Sequence, residues 1–317
     1  MKTPLVIMLA LSAVGCQWAA RDKAAPSVRG GPLDEARTLY QQGQLDAALA
    51  KVLEAPAEDP VGLCLQGLIW ARKAEGAPVP TAVADVAGGR PPEFKREELT
   101  AIDFLERART ARPDLAEAHL GLANLLAPHA VRRFELAEAG RKAGMRRGAR
   151  ASATEAAAIP EGPDFSVRRV AELYRLAAKA DPANGRALDD LLRFSARVRD
   201  IDSQEWALVE LMALQGENPE PRARYADFLV SVRKDRHKAI DYYRQALILA
   251  PQDAAIKGRL ADLYIVLGRE SFDVQQWGAA QTMFLEAQKY VVDKNSPQGL
   301  LVREHLDKLG SMRQETR

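Results

Sequence analysis

Two cysteines, four histidines and 6% aromatic residues are a sparse set of reactive groups for a chain of 317 residues. Each shortage excludes something. Cys16 and Cys64 allow at most one bridge, so the chain is not a disulfide-stapled scaffold. No Cys–His cluster and no His-Glu-x-x-His arrangement is present, so the familiar metal motifs are missing. There is no Gly-x-Ser-x-Gly turn and no glycine loop of the kind that cradles phosphate. Acidic pairs such as Glu97–Glu98 and Asp189–Asp190 are adjacent, and on a helix adjacent residues do not point at a common target. The balance of 45 basic to 43 acidic residues offers no electrostatic excess for nucleic acid. No alternating β-branched run is joined to another by an Asn-Gly or Asp-Gly turn. What remains is a chain rich in Ala, Leu, Arg and Glu, which is the composition of an all-helical protein.

The longest apolar run lies at the start. "PLVIMLALSAVG" follows Lys2 and is about a dozen residues long, short of the about 20 that a membrane-spanning helix needs. A basic start, a short apolar core and small residues at its end read as an export signal over 1–15. "SAVGC" resembles the lipobox of bacterial lipoproteins, which implies lipidation of Cys16. Ala13 stands where a branched apolar residue is commoner, so a soluble periplasmic product is the alternative. By the same resemblance, Gln17 permits transport to the outer membrane, with the protein facing the periplasm. Residues 16–33 are small, polar and interrupted by Pro26, Gly30, Gly31 and Pro32, and read as a tether. Cys64, in "VGLCLQGLIWARKA", sits on an apolar helical face as a buried small hydrophobe.

Periodicity dominates the rest. Four segments place an Ala five residues before a Pro: Ala55 to Pro60, Ala108 to Pro113, Ala177 to Pro182 and Ala246 to Pro251. A helix-length earlier stand Ala48, Ala101, Val170 and Ala239, with Val52, Leu105, Tyr174 and Tyr243 between. A weaker copy has Ala207, Leu211 and Pro219. Residues three, four and seven apart share a helical face, where a small residue admits a partner helix and a large one fills the adjoining gap. Proline cannot continue the helix and opens the next turn. Set in register, "AEAHLGLANLL", "AELYRLAAKADPAN" and "AIDYYRQALILAP" resemble the first helix, and twice the second, of the tetratricopeptide repeat. Leu122, Ala123, Leu191, Leu192, Ala226, Leu260, Ala261 and Tyr264 take first-helix positions. The resemblance implies a right-handed α-solenoid of about six helix hairpins ending in a capping helix.

Repeats are expected over 34–142 and 164–310, with a loop insertion at 76–93, a linker at 143–163 that lets two halves hinge, and a tail at 311–317. About seven extra residues between Gly268 and Ala280 equal two turns, so the last unit should have elongated helices. His119 is expected to be structural, and His129, His237 and His305 to lie in loops or on helix surfaces.

Carried over by register, the family's groove positions become Glu117, Asn124, Arg186, Asp189, Arg193, Arg224, Phe228 and Asp262, with Phe228 as the apolar anchor. Residues 132–150, with seven basic and two acidic side chains, form a second candidate surface for anionic headgroups or an acidic partner. The expectation is a membrane-anchored protein–protein interaction scaffold of the bacterial envelope, an assembly or pilotin-like adaptor. It needs no catalysis, metal, cofactor, nucleic acid or small-molecule substrate. The alternatives are a module binding cell-wall glycan, for which Trp18, Trp70, Trp206 and Trp277 are a thin supply of platforms, and a cryptic enzyme.

Overall fold

The computed structural model describes residues 31–76, 94–147 and 163–315. The expected signal peptide, Cys16 and nearly all of the tether lie outside them, as do 77–93 of the insertion, 148–162 of the linker and the last two residues of the tail. Thirteen α-helices and no strand occupy the described residues. In chain order they pair as α1 (Pro32–Gln41) with α2 (Leu45–Val52), α3 (Pro60–Gly76) with α4 (Arg96–Ala111), and α5 (Ala116–Arg147) with α6 (Val167–Ala180). Then come α7 (Arg186–Val198) with α8 (Ile201–Leu214), α9 (Pro219–Phe228) with α10 (Arg236–Leu249), and α11 (Ala254–Asp273) with α12 (Trp277–Tyr290). A π-helical turn, Leu229–Arg233, extends α9, and α13 (Pro297–Glu315) packs on α11 and α12. Each second helix also touches the first helix of the next hairpin, so the pairs stack in sequence order into an α-solenoid.

The small–large–small register explains the pairing. Ala48, Ala101, Val170, Ala207 and Ala239 are fully buried, and so are Val52, Leu105, Leu211, Ala108 and Ala246. Ala280, Phe284 and Ala287 of α12 repeat the same spacing and are buried completely. The close approach has a second requirement. A methyl on Gly67 would stand 2.5 Å from Leu105 Cγ, and one on Gly268 3.0 Å from the Phe284 ring, so these two first helices need glycine opposite the large residue.

Turns within hairpins share a design. Gly43, Arg199, Lys234 and Gln275 adopt left-handed φ between 57° and 78°, each one residue before the N-cap of the second helix. The following N–H reaches back to close the turn, as from Asp200 to the Ser195 carbonyl at 2.9 Å. Asp200 and Asp235 then cap α8 and α10 by accepting from the N–H groups of Ser203 and Lys238.

Several expectations change. Pro113, Pro182 and Pro251 do lie just beyond the ends of α4, α6 and α10, but Pro60 is the first residue of α3 and does not close α2. Only α11 is lengthened in the last hairpin, at 20 residues, while α12 keeps the 14 of α6, α8 and α10. α5 runs through Pro128 to 32 residues because Ala127, Ala130 and Val131 are buried on either side, and packing outweighs the lost N–H. It thereby includes the first five residues of the expected linker. One apolar cluster runs from Leu63 through Leu126 to Phe165, Tyr174 and Ala207, so α5 and α6, on either side of 148–162, share a core. The helices on either side of 148–162 therefore pack against each other as one hairpin.

Candidate functional site

The first helices form a column: α1 touches α3, α3 touches α5, α5 touches α7, and α11 touches α13. Four tetrapeptides occupy matching places on it: "GLAN" at 121–124, "DLLR" at 190–193, "RYAD" at 224–227 and "RLAD" at 259–262. In the last three the outer two residues are one turn apart and share a face opposite the inner pair, whereas in the first Gly121 is itself buried against Leu68 and Leu105 and Asn124 alone faces outward. Leu122, Ala123, Leu191, Tyr225, Ala226, Leu260 and Ala261 are accordingly buried, and Leu192 is half-buried.

The fourth residue of the tetrapeptide meets the large residue of its own second helix. Tyr174 donates its hydroxyl proton to Asn124 Oδ1 at 2.9 Å, and Tyr243 does the same to Asp227 Oδ1. Burial pushes both phenols up, with the nearby carboxylates Asp190 and Asp227 adding to it. Leu211 and Phe284 have no hydroxyl, and the matching Arg193 and Asp262 turn elsewhere. Arg193 donates to Asp190, and Asp262 accepts from Gln298 of α13.

Ion pairs link one unit to the next. Arg224 of α9 donates to Asp189 of α7 at 3.1 Å, and Arg259 of α11 to Asp227 of α9 at 2.8 Å. Asp190, whose side chain is 13% exposed, is flanked by Arg193 and, at 3.8 Å, Arg186. Both guanidinium side chains stay largely exposed beside that carboxylate, Arg186 at 57% and Arg193 at 74%. The bond to Asp190 holds the Arg193 guanidinium above its ordinary pKa, so it remains a cation.

Seven of the eight residues expected to line a groove thus carry polar groups on the first-helix column. Glu117, in the first turn of α5, is half-buried beside Arg37 and Cys64 around a cleft of about 10 Å³, room for a single water. Phe228 is the correction. It is 5% exposed, packs parallel to Tyr225 with ring centroids 6.0 Å apart, and carries the Arg233 guanidinium over its ring, so it is not an anchor for a partner. The register puts it one residue past the outward Asp227, on the buried side of α9. Sequence reading missed Asp190, Asp227, Arg259 and Gln298. The repeated Arg-x-Ala-Asp of α9 and α11 was the available signal for Asp227 and Arg259.

The other polar candidates are structural. His119 is 2% exposed, and its Nε2 lies 2.7 Å from the Pro113 carbonyl. His129 and His305 are not surface groups: His129 packs between Phe94 and Phe165, and His305 against Phe284 and Phe272. Burial pushes the Cys64 thiol up to about 12, Glu117 adding to it, which suits an inert core residue. The described residues contain no group of three His, Cys, Asp or Glu placed to hold a metal. Nor is any described helix long and apolar enough to cross a membrane.

No family model matches the chain, and no curated protein does. Among solved structures it is similar to a thermophilic TPR protein of Thermus thermophilus, at 17% identity over 73% of this chain and 96% of that one, with a TM-score of 0.36. MamA from Desulfovibrio magneticus RS-1 is 13% identical over 70% of this chain and 95% of its own, with a TM-score of 0.39. YrrB, described as a TPR protein with an unusual peptide-binding site, is 12% identical over 81% and 98%, with a TM-score of 0.40.

Proposed function

We propose that this chain is a TPR-like scaffold that holds a protein partner on its first-helix column, tethered to the bacterial envelope through Cys16. The observation that carries the reading is the column itself. Successive helices present matching outward polar residues whose pairing with one another fixes their positions, and fixed donors recognise a partner at low ordering cost. The outward arginines Arg186 and Arg193 face a carboxylate or backbone carbonyl of the partner. Two clefts among the described residues, of about 10 and 30 Å³, have room for a water or two rather than for a substrate, which fits binding better than catalysis. The export signal and lipobox resemblance support an outer-membrane anchor facing the periplasm.

The experiment is capture from detergent-solubilised envelope by the native chain beside Arg186→Glu/Arg193→Glu. A stoichiometric protein bound by the native chain and lost from the variant supports the reading. Glycan retained without protein would replace it with polymer binding. The anchor is tested separately by Cys16→Ser, which should release the mature protein into the soluble fraction, and continued membrane attachment would exclude a lipid there.

A further inference from the structure

One helix outgrows its hairpin and carries a second surface. α5 has 32 residues against 14 in α6. α6 begins abreast of Arg133, whose guanidinium stands 5.4 Å from the centre of the Phe165 ring. From Glu135 to Lys142, every residue is exposed except Glu138, which is half-covered. This stretch is therefore solvated nearly all round, unlike the rest of the solenoid.

The end of α7 is the neighbour that reaches it. Arg197 donates to Glu135 at 2.8 Å and Arg199 to Glu138 at 3.5 Å, while Arg141 also donates to Glu138. Both carboxylates of the stretch are taken in this way. Left outward are Arg132, Lys142 and, on the same face as Arg132, Leu136 at 65% exposure. Six cations (Arg132, Arg133, Arg141, Lys142, Arg197 and Arg199) surround two carboxylates, in a chain whose net charge is only +2. The positive charge is local, and the carboxylates that could oppose it are neutralised from the side.

We propose that this basic overhang of α5 docks on an anionic phospholipid surface. Its guanidinium and ammonium groups lie among the headgroup phosphates, and Leu136 enters the interfacial layer. The shape favours a surface over an acidic polypeptide. An exposed rod is convex and has no groove to hold an extended chain, whereas a sheet of phosphates meets its whole length. A helix exposed on all sides and interrupted by Gly140 is marginal alone, so a charged surface also stabilises it. The inference does not rest on the first-helix column or on a lipid at Cys16, and its failure would leave both in place.

The test is flotation of the full chain carrying Cys16→Ser with vesicles of phosphatidylcholine alone or with phosphatidylglycerol added. Partitioning should rise roughly tenfold or more on the anionic vesicles, at about fivefold for each cation engaged, and should fall to the neutral level at high salt. Arg132→Glu/Lys142→Glu should abolish the difference with an unchanged circular dichroism spectrum and melting curve, because both side chains are exposed. Should that variant misfold, Arg132→Gln/Lys142→Gln gives the same reading with a smaller decrease. Equal partitioning on the two vesicles overturns the proposal, as does salt-insensitive binding or a folded variant that keeps the preference. Capture by polyglutamate without vesicle preference also overturns it and assigns the patch to an acidic polypeptide.

Discussion

At the scale of residues, the hydroxyls of Tyr174 and Tyr243 set the position of the polar column. Each lies in a second helix where other units have Val, Leu or Phe, and each reaches across the hairpin to a first-helix acceptor. Tyr243→Phe removes one bond to Asp227, whose other oxygen keeps Arg259. The expected cost is about 1 kcal/mol in urea unfolding, the usual net worth of such a bond. An unchanged midpoint would mean that the hydroxyl does not position Asp227. Cys64 gives a pH prediction with a definite sign. Its thiol titrates near 9 when unfolded and near 12 when folded. As pH climbs between those values the unfolded chain loses a proton that the folded chain retains, so stability held below pH 9 declines towards pH 12. Comparing unfolding midpoints of native and Cys64→Ala chains across that window should show the shallower alkaline decline in the variant.

Among elements, the hairpin turns repeat one solution with different residues. The left-handed position is Gly43 in the first hairpin but Arg199, Lys234 and Gln275 in later ones; a capping aspartate follows Arg199 and Lys234, whereas Gln276 after Gln275 makes no side-chain cap. Asp235 accepts from the Lys238 N–H at 3.1 Å, and that bond holds its carboxyl below the usual range. Asp235→Ala should lower the melting temperature by loss of the cap. Asp235→Asn should recover most of the loss, since the amide oxygen accepts the same bond. A variant as stable as the native chain would show that the closing backbone bond suffices without the side chain. The same level explains why α5 and α11 depart from the common length. α5 continues through a proline because its flanking alanines and valine are packed, and α11 absorbs all the extra residues of the last unit.

For the whole molecule, the solenoid has two unlike ends. At the C-terminal end α13 covers the last hairpin, with Val302 and Leu309 buried and His305 against Phe284 at 4.7 Å. At the other end Leu33, Leu39, Tyr40, Leu45 and Leu49 are only partly buried around a small core. Deleting residues 297–317 should expose the Phe284 layer, lower the melting temperature and increase binding of an apolar dye, as expected for an uncapped repeat array. A truncated chain that melts at the native temperature without aggregation would remove the capping role from α13. The middle is continuous, because the core that begins at Leu63 reaches Ala207 without a break at the linker.

The hairpins were legible in the chain because their register is local. Small and large residues at fixed helical spacing mark a face wherever the helix goes, and Ala101, Leu105 and Ala108 proved as buried as their spacing implied. The lack of alternating β-branched runs likewise pointed to the all-helical class that the described residues show. What only the folded chain decided depends on distance in space. Phe228 is an aromatic next to an outward aspartate, and a shift of one residue, about 100° round a helix, took it into the core. Asp190 and Gln298 became part of the column through neighbours supplied by other turns and other helices. The fate of residues 132–142 turned on where α6 begins, which no periodicity within α5 records. Burial of a face follows from spacing along the chain, whereas the partner of a charge follows from which helix lies beside it.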